Sequence, residues 1–448
     1  MTDLPGLVER ERLRAGVPGC AVVVVRDGEV LLCKGFGQRD VAASAPVTAQ
    51  TLFPIGSATK TFTASLVARL AVAGRLDLDA PIRDTWPEVG MLDPSAAAQL
   101  SLRDCLSHRS GLPRHDLLWL GAGGRVDRDD LVRALSHLPA SEPFRSTYQY
   151  NNVLYIVAGH LVARSRGGAY EDVLEHEVLR PLRLERTTFS SSQALADPDH
   201  ARPYDRGGNE LPFVPLDLAG PAGGLLSCAD DLALWLLALT GGGPALDLMR
   251  TPSIARPTPA PHGPFADTSY GLGLMLERYR GRVVSHHGGN IDGYSAQVLT
   301  RDDGVGIAVL TNLHATAFRD SLPYQVLDLL DGVAPRDHAS FFAERLERTL
   351  APLDERSSTY STSMPTAGLV GSYRHPGYGE VSVAVTDAGL QWSYQGVPQG
   401  ALCVRPDGTV EARYRFFGVE LAAAGTATPT ELRLQLEPAV DALVFTRC

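Results

Sequence analysis

Apolar and polar positions along the chain fall into three regimes. Near the start, the runs CAVVVV and EVLLCKG meet at Asp27-Gly28. An Asp-Gly pair tolerates the positive φ angles of a tight turn, so Gly19 to Gly37 is predicted as a β-hairpin. From Ser57 the period lengthens. Phe62, Leu66, Leu70 and Ala73 recur every three or four residues, with Gly74 placed to end a helix. A second helix opens at Ser101 with Asp104 in a capping-box position. A third runs from about Asn152 to Ala163. A fourth opens at Ser227 with Asp230 at its first turn and carries the apolar face ALWLLAL. Residues 241–268, dense in Gly and Pro, read as a surface excursion. Three strand-like runs follow, VVSHH, SAQVLT and GVGIAVLTN, the last two joined by Arg301-Asp302-Asp303-Gly304.

The third regime begins near residue 366. Short alternating runs (EVSVAVT, LQWSYQ, TVEARYRF, ELRLQLE, ALVFT) are divided by turn residues such as Pro-Asp-Gly. Such spacing predicts a small all-β barrel or sandwich. Before it, residues 336–365 hold one helical stretch, FFAERLERTL, and a Ser/Thr-rich linker. The expected division is therefore 1–335, a linker region 336–365, and 366–448. In the first part, strands lie at both ends with helices between. That order predicts an α+β domain, an antiparallel sheet flanked by helices with a helical subdomain. It excludes a doubly wound parallel sheet, which needs strand–helix alternation throughout.

Composition narrows the function. The 448 residues carry a net charge of -10, and the basic residues form no block, which argues against nucleic acid as a partner. No apolar run reaches about 18 residues, so no membrane span is expected. The first residues are charged and lack an apolar signal core, and the six cysteines form no C-x-x-C pair. A cytoplasmic protein with reduced thiols and no metal site is the expectation. Only two of the 41 basic residues are lysines, Lys34 and Lys60, a bias with a coding explanation. A lysine that persists in such a chain still stands out, because Arg holds its proton where a buried Lys can release one.

Lys60 lies three residues after Ser57 at a predicted helix start, so both side chains share a face. A serine hydroxyl becomes a nucleophile when a neighbouring base takes its proton, and a lysine serves once burial or nearby cations depress its pKa. The helix start adds N–H donors near developing negative charge. Tyr150-Asn151-Asn152 stands at another helix start, where a tyrosine can relay a proton and an Asn can orient a lysine or a substrate amide. His286-His287-Gly288-Gly289 follows a strand, and its glycines let a substrate backbone approach a strand edge. Each motif alone has a plain alternative: a Ser N-cap with a solvated Lys, an Asn N-cap, a His on a turn. His108, His115 and His176 read as surface or capping residues. No G-x-S-x-G elbow is present, and Gly271-Leu272-Gly273 lacks the features of a dinucleotide loop.

Together, in this order, the motifs resemble the set S-x-x-K, Y-x-N, then K-T-G or H-x-G of the serine β-lactamase and penicillin-binding-protein-like superfamily. The stretches LFPIGSATKTFTA, SLRDCLSHRSGLPRHD, PFRSTYQYNNVLYIVAGHLV and GGLLSCADDLALWL look like its class C β-lactamase-like branch of serine hydrolases. GLVGSYRHPGYGEVSVAV and the closing ALVFTR look like the lipocalin-like barrel that some members append.

The resemblance implies Ser57 as acylated nucleophile, Lys60 as its base, Tyr150 as acid/base partner, and Asn152 as the group holding Lys60 or the substrate amide. It implies an oxyanion hole from the backbone N–H groups of Ser57 and Gly289, with Gly288 and Asn290 at the substrate strand. His286 takes the first H-x-G position, where β-lactamases typically carry Lys. That departure removes a positive charge for a β-lactam carboxylate and favours esters, thioesters or peptides. Arg447 is a candidate carboxylate grip if the barrel docks at the site. No cofactor is implied. Three functions compete. One is off-loading and macrocyclisation of a nonribosomal peptidyl thioester with a D-configured C-terminal residue, presented on a carrier-protein phosphopantetheine, as in penicillin-binding-protein-type thioesterases. The others are a D-amino-acid-directed peptidase or carboxylesterase, and a non-catalytic binding protein.

Overall fold

The computed structural model describes residues 3–257, 264–354, 367–404, 409–416 and 419–448. Contacts group the chain into two compact units, Met1–Leu78 with Ala158–Arg348 and Asp79–Val157 with Thr349–Cys448.

The first unit is built on an antiparallel sheet. Its strands are β1 (Gly19–Arg26), β2 (Glu29–Asp40), β3 (Ala45–Pro46), β6 (Ile254–Ala255), β7 (Phe265–Tyr270), β8 (Met275–Tyr279), β9 (Arg282–Ile291), β10 (Tyr294–Arg301) and β11 (Val305–Thr311). Between β3 and β6 in the chain, β4 (Phe53–Pro54) and β5 (Leu226–Ser227) pair only with each other. The order β3-β2-β1-β11-β10-β9-β8-β7-β6 puts β1 beside β11, so the sheet is closed up from the two ends of the domain as expected. The expected hairpin is present, with Asp27 at φ 53° and Gly28 at φ 82°. β10 and β11 are buried along their whole length. On one face Val22, Val24, Leu299, Ile307 and Val309 pack with Phe318 and Leu322 of the helix Phe318–Leu330. The helix Ala229–Thr240 packs on β1 and β11.

The helix Thr59–Val72 is buried continuously from Thr59 to Ala68, and Phe62 stacks on Trp235 with ring centroids 4.0 Å apart. It is wrapped on all sides, so the apolar stripe in its sequence describes only part of its surface.

Three expectations are corrected. Ser57 lies in a 3-10 turn, Gly56–Ala58, and the α-helix starts at Thr59. Ser227 belongs to β5, where its hydroxyl meets that of Thr187 at 2.9 Å, and the next helix is capped at Cys228 without a side-chain bond. The stretch 241–268 is not merely an excursion. Pro244 starts a helix, Pro244–Arg250, with Leu246 and Met249 buried, and β6 and β7 extend the sheet. Proline suits a first helical turn, so here it opens an element it would elsewhere interrupt.

The second unit combines short helices with a barrel. Ser101 and Asp104 form the expected capping box on the helix Leu102–Leu106. The strands β12 (Gly371–His375), β13 (Gly379–Thr386), β14 (Gly389–Tyr394), β15 (Val397–Val404), β16 (Thr409–Phe416), β17 (Val419–Ala427), β18 (Glu431–Leu434) and β19 (Leu443–Arg447) close when β19 pairs with β12. Closure removes the sheet edges. Tyr373, Trp392, Tyr394, Leu434 and Phe445 fill the interior. β12, β15 and β17 were not evident as strands because their Gly, Pro and Ala weaken the alternation signal. The expected helical stretch lies within the helix His338–Asp354, while the Ser/Thr-rich run 355–366 lies outside the described residues.

Candidate active site

In the first unit, the approach to Ser57 is pinned by the β4–β5 pair and by the Ile55 N–H donating to the Leu225 carbonyl at 2.9 Å. Gly56 turns the chain with φ 51°, and a Cβ there would come within 3.1 Å of the Asn290 nitrogen and 3.2 Å of the Gly289 Cα. A glycine is needed for both the angle and the close approach. Ser57 is half-buried and Lys60 fully buried, at 0% exposure. The Lys60 Nζ donates to the Ala222 carbonyl at 2.6 Å and lies 3.3 Å from Ser57 Oγ. A proton can pass between these two atoms after a small adjustment, as is usual before substrate binds.

β8 pairs with β9 only as far as His286, so beyond that residue the edge of β9 meets the Ile55–Ser57 turn. At Gly289 the approach is closest: a Cβ there would stand 2.0 Å from the Ile55 carbonyl oxygen and 2.8 Å from the Ser57 nitrogen. Two backbone segments thus lie side by side beside the serine.

In the second unit, Tyr150 has the Arg114 guanidinium over its ring at 5.0 Å and the His108 ring beside it at 4.4 Å. Asn151 caps the helix Asn152–Ser165 by accepting from the Leu154 N–H at 2.8 Å, and its own N–H donates to His108 Nδ1 at 3.1 Å. Asn152, nearly buried, donates its amide to Asp116 Oδ1 at 2.9 Å. Asp116 also receives the Trp119 indole N–H and pairs with Arg114.

A beta-lactamase family model matches residues 7–331. The chain belongs to the beta-lactamase family. Among its relatives, a protein named unguisins hydrolase ungD from Aspergillus violaceofuscus is 28% identical over 97% of this chain and 86% of its own length. Its counterpart ungD' from Aspergillus campestris is 29% identical over 85% and 77%. Among solved structures, the octameric penicillin-binding protein homologue from Pyrococcus abyssi superposes with a TM-score of 0.67 at 22% identity, covering 99% of this chain and all of that one. SurE gives 0.58 at 23% identity, covering 99% and 98%. Both show the same fold.

In this family member the two adjacent histidines take opposite faces of β9. His286, expected in the site, has its imidazole behind the sheet, with Nε2 3.4 Å from the Glu277 carboxylate and Nδ1 3.4 Å from the Gln297 amide. Tyr324 donates its hydroxyl to the same carboxylate. Burial opposes the charge on Glu277, yet His286 and Tyr324 outweigh it and hold the carboxyl down at about 2. His287 shares the Gly289 face. Its Nδ1 bonds the Gly288 carbonyl at 2.8 Å, so Nε2 accepts from the Tyr270 hydroxyl at 3.1 Å. Burial and the charge of Lys60 push its pKa well below 6.5, so it stays neutral. Strand alternation from Gly289 was the signal that would have selected 287 over 286.

The other expected residues are placed as follows. Gly288 faces Arg319 and Gln297, and Asn290 is exposed with Oδ1 accepting from Ser295. Arg447 bonds the carbonyls of Gly368, Val370 and Pro429. His108 and His115, expected at the surface or in caps, are fully buried; His176 is exposed. Arg114 and Asp116 were not singled out from the sequence, because nothing local shows that they reach Tyr150 and Asn152.

Proposed function

We propose that this serine hydrolase works through a Ser57 acyl-enzyme on peptide-derived esters or thioesters. The observation that carries the reading is the fully buried Lys60 amine 3.3 Å from Ser57 Oγ. In the first step Lys60 takes the hydroxyl proton, Ser57 Oγ bonds the acyl carbon, and the leaving alcohol or thiol departs with a proton. The N–H groups of Ser57 and Gly289 stabilise the negative oxygen of the tetrahedral intermediate. In the second step water adds to the acyl carbon and Ser57 recovers its proton. The motif resemblance gives Tyr150 the proton transfers of the leaving group and of the attacking nucleophile, and gives Asn152 an orienting role. The name of the relatives, unguisins hydrolases, supports hydrolysis as the outcome. Neither lysine of the chain lies on β9, which disfavours a β-lactam carboxylate as the docking group.

A second reading has an amine of the same peptide attack in place of water, which releases a macrocycle. The motif resemblance to penicillin-binding-protein-type thioesterases and the closed barrel at residues 371–447 favour it. The donor is then a thioester with a D-configured terminal residue on a carrier-protein phosphopantetheine.

A fluorophosphonate probe tests the common step. It adds mass at Ser57 of the wild type, and Ser57→Ala loses the adduct. A folded wild type without adduct overturns the enzymatic reading in favour of a binding protein. A peptidyl thioester mimic ending in a D-residue separates the two outcomes. A product one water lighter than the linear acid marks cyclisation; linear acid alone marks hydrolysis.

A further inference from the structure

We infer that the barrel sets the positions of Tyr150 and Asn152 through one tripeptide, Arg114-His115-Asp116, so that Tyr378 and Glu437 are positioning residues for the reaction. The inference rests on the roles given above to Tyr150 and Asn152.

The tripeptide carries both contacts. Arg114 lies over the Tyr150 ring at 5.0 Å, and Asp116 receives the Asn152 amide at 2.9 Å. Between them His115 is fully buried and holds φ 47°, a left-handed angle unusual for a residue with a Cβ. Such a conformation persists only where the surroundings impose it. Two barrel side chains do so. Glu437, between β18 and β19, accepts the His115 backbone N–H at 2.8 Å. Its second oxygen is held by the Ala439 N–H at 3.2 Å. Tyr378, between β12 and β13, bonds His115 Nδ1 at 2.8 Å. The His115 Nε2 lies 3.0 Å from the Pro139 carbonyl, which can only accept, so Nε2 carries the proton and Tyr378 donates to Nδ1. Glu437, Tyr378 and His115 are all at 6% exposure or less, so water offers no substitute for either bond.

The Arg114 guanidinium places a positive charge over the Tyr150 ring. A shift of His115 would move Arg114 and Asp116 together, and with them the charge and orientation seen by both motif residues.

The test uses the full chain with Tyr378→Phe, Glu437→Ala and Glu437→Gln, each titrated with the fluorophosphonate probe and assayed on p-nitrophenyl acetate. In Tyr378→Phe and Glu437→Ala, kcat per titrated serine falls about 10- to 100-fold while KM stays within about threefold. Glu437→Gln keeps an acceptor oxygen for the His115 N–H and recovers most of the rate. In a Tyr150→Phe background, Tyr378→Phe has a smaller effect, limited to the part of its action that runs through Asp116 and Asn152. Unchanged kcat per titrated serine in Tyr378→Phe overturns the inference, as does full additivity with Tyr150→Phe. Tyr378→Phe removes only a hydroxyl, so it carries the test even if Glu437→Ala fails to fold. A wild type that leaves Ser57 unlabelled overturns the acyl-enzyme reading and this one with it. A labelled, active wild type beside unaffected variants overturns this inference alone.

Discussion

Adding one methyl group at Gly289 tests the oxyanion reading most sharply. In Gly289→Ala the new Cβ would stand 2.0 Å from the Ile55 carbonyl oxygen. A carbon and a carbonyl oxygen need roughly 3.3 Å, so about 1.3 Å must open between β9 and the nucleophile turn. Neither side yields cheaply. Ile55 is tied to Leu225, Gly289 is in register with Ala296 of β10, and Arg319 bonds the Gly289 carbonyl. The displacement therefore separates the Gly289 N–H from the Ser57 N–H. A misplacement of about 1 Å costs on the order of 100-fold in rate. Losing one oxyanion donor costs about 100- to 1,000-fold, or about 2.7–4 kcal/mol. Steady-state kcat/KM on an activated ester, with the acylation rate from stopped flow, reads the loss. Circular dichroism and the melting temperature confirm that the variant is folded. Gly288→Ala is the control: its Cβ would meet the ends of Arg319 and Gln297 at 3.1 and 3.2 Å, which are flexible side chains, so less than about a tenfold loss is expected. A folded Gly289→Ala within about threefold of wild-type kcat/KM would refute the assignment of Gly289 to the oxyanion hole.

Further outcomes follow from other contacts. Lys60→Arg keeps a positive charge but cannot release the proton, so kcat/KM falls by about 100-fold or more and fluorophosphonate labelling of Ser57 slows with it; undiminished labelling removes Lys60 from the mechanism. Asp104 is fully buried between Arg109 and Arg145 and accepts the Ser101 hydroxyl. Asp104→Ala leaves two arginines facing an empty acceptor site and costs about 3–5 kcal/mol in urea denaturation; a loss below about 1 kcal/mol would show that water or another carboxylate takes over. Burial lowers the His115 and His375 pKa values to about 4 and drives that of His287 well below 6.5. With folded values depressed, the unfolded chain binds protons first as pH drops below about 6.5. Stability is therefore full above that pH and declines toward pH 4, which a melting-temperature series reads. His375→Gln flattens that slope, and an unchanged slope counts against His375 as a contributor.

Much of the fold was legible because it is local. The early hairpin needs only two apolar runs around Asp27-Gly28, and the capping box needs only Ser101 and Asp104. The barrel was visible as alternation wherever its strands alternate, and invisible in β15 and β17, where Pro, Gly and Ala carry too little contrast. The site was legible to the same degree. Ser57 and Lys60 share a face because they are three residues apart, and the structure places them together. His286 was favoured by motif position, yet strand alternation puts it behind the sheet against Glu277.

What the amino-acid sequence determined alone is the set of elements, the fold class, and a serine–lysine pair with a tyrosine and a glycine strand in a familiar order. Periodicity says which side chains lie on one face, because that depends on neighbours along the backbone. It does not say what the face meets. Only the tertiary structure decided that Ala222 receives the Lys60 amine, that Gly289 rests against Ile55, and that His115 is held by Tyr378 and Glu437. Each of these contacts joins residues far apart in the chain. Their energies come from burial and complementary hydrogen bonds that exist only once the elements have packed.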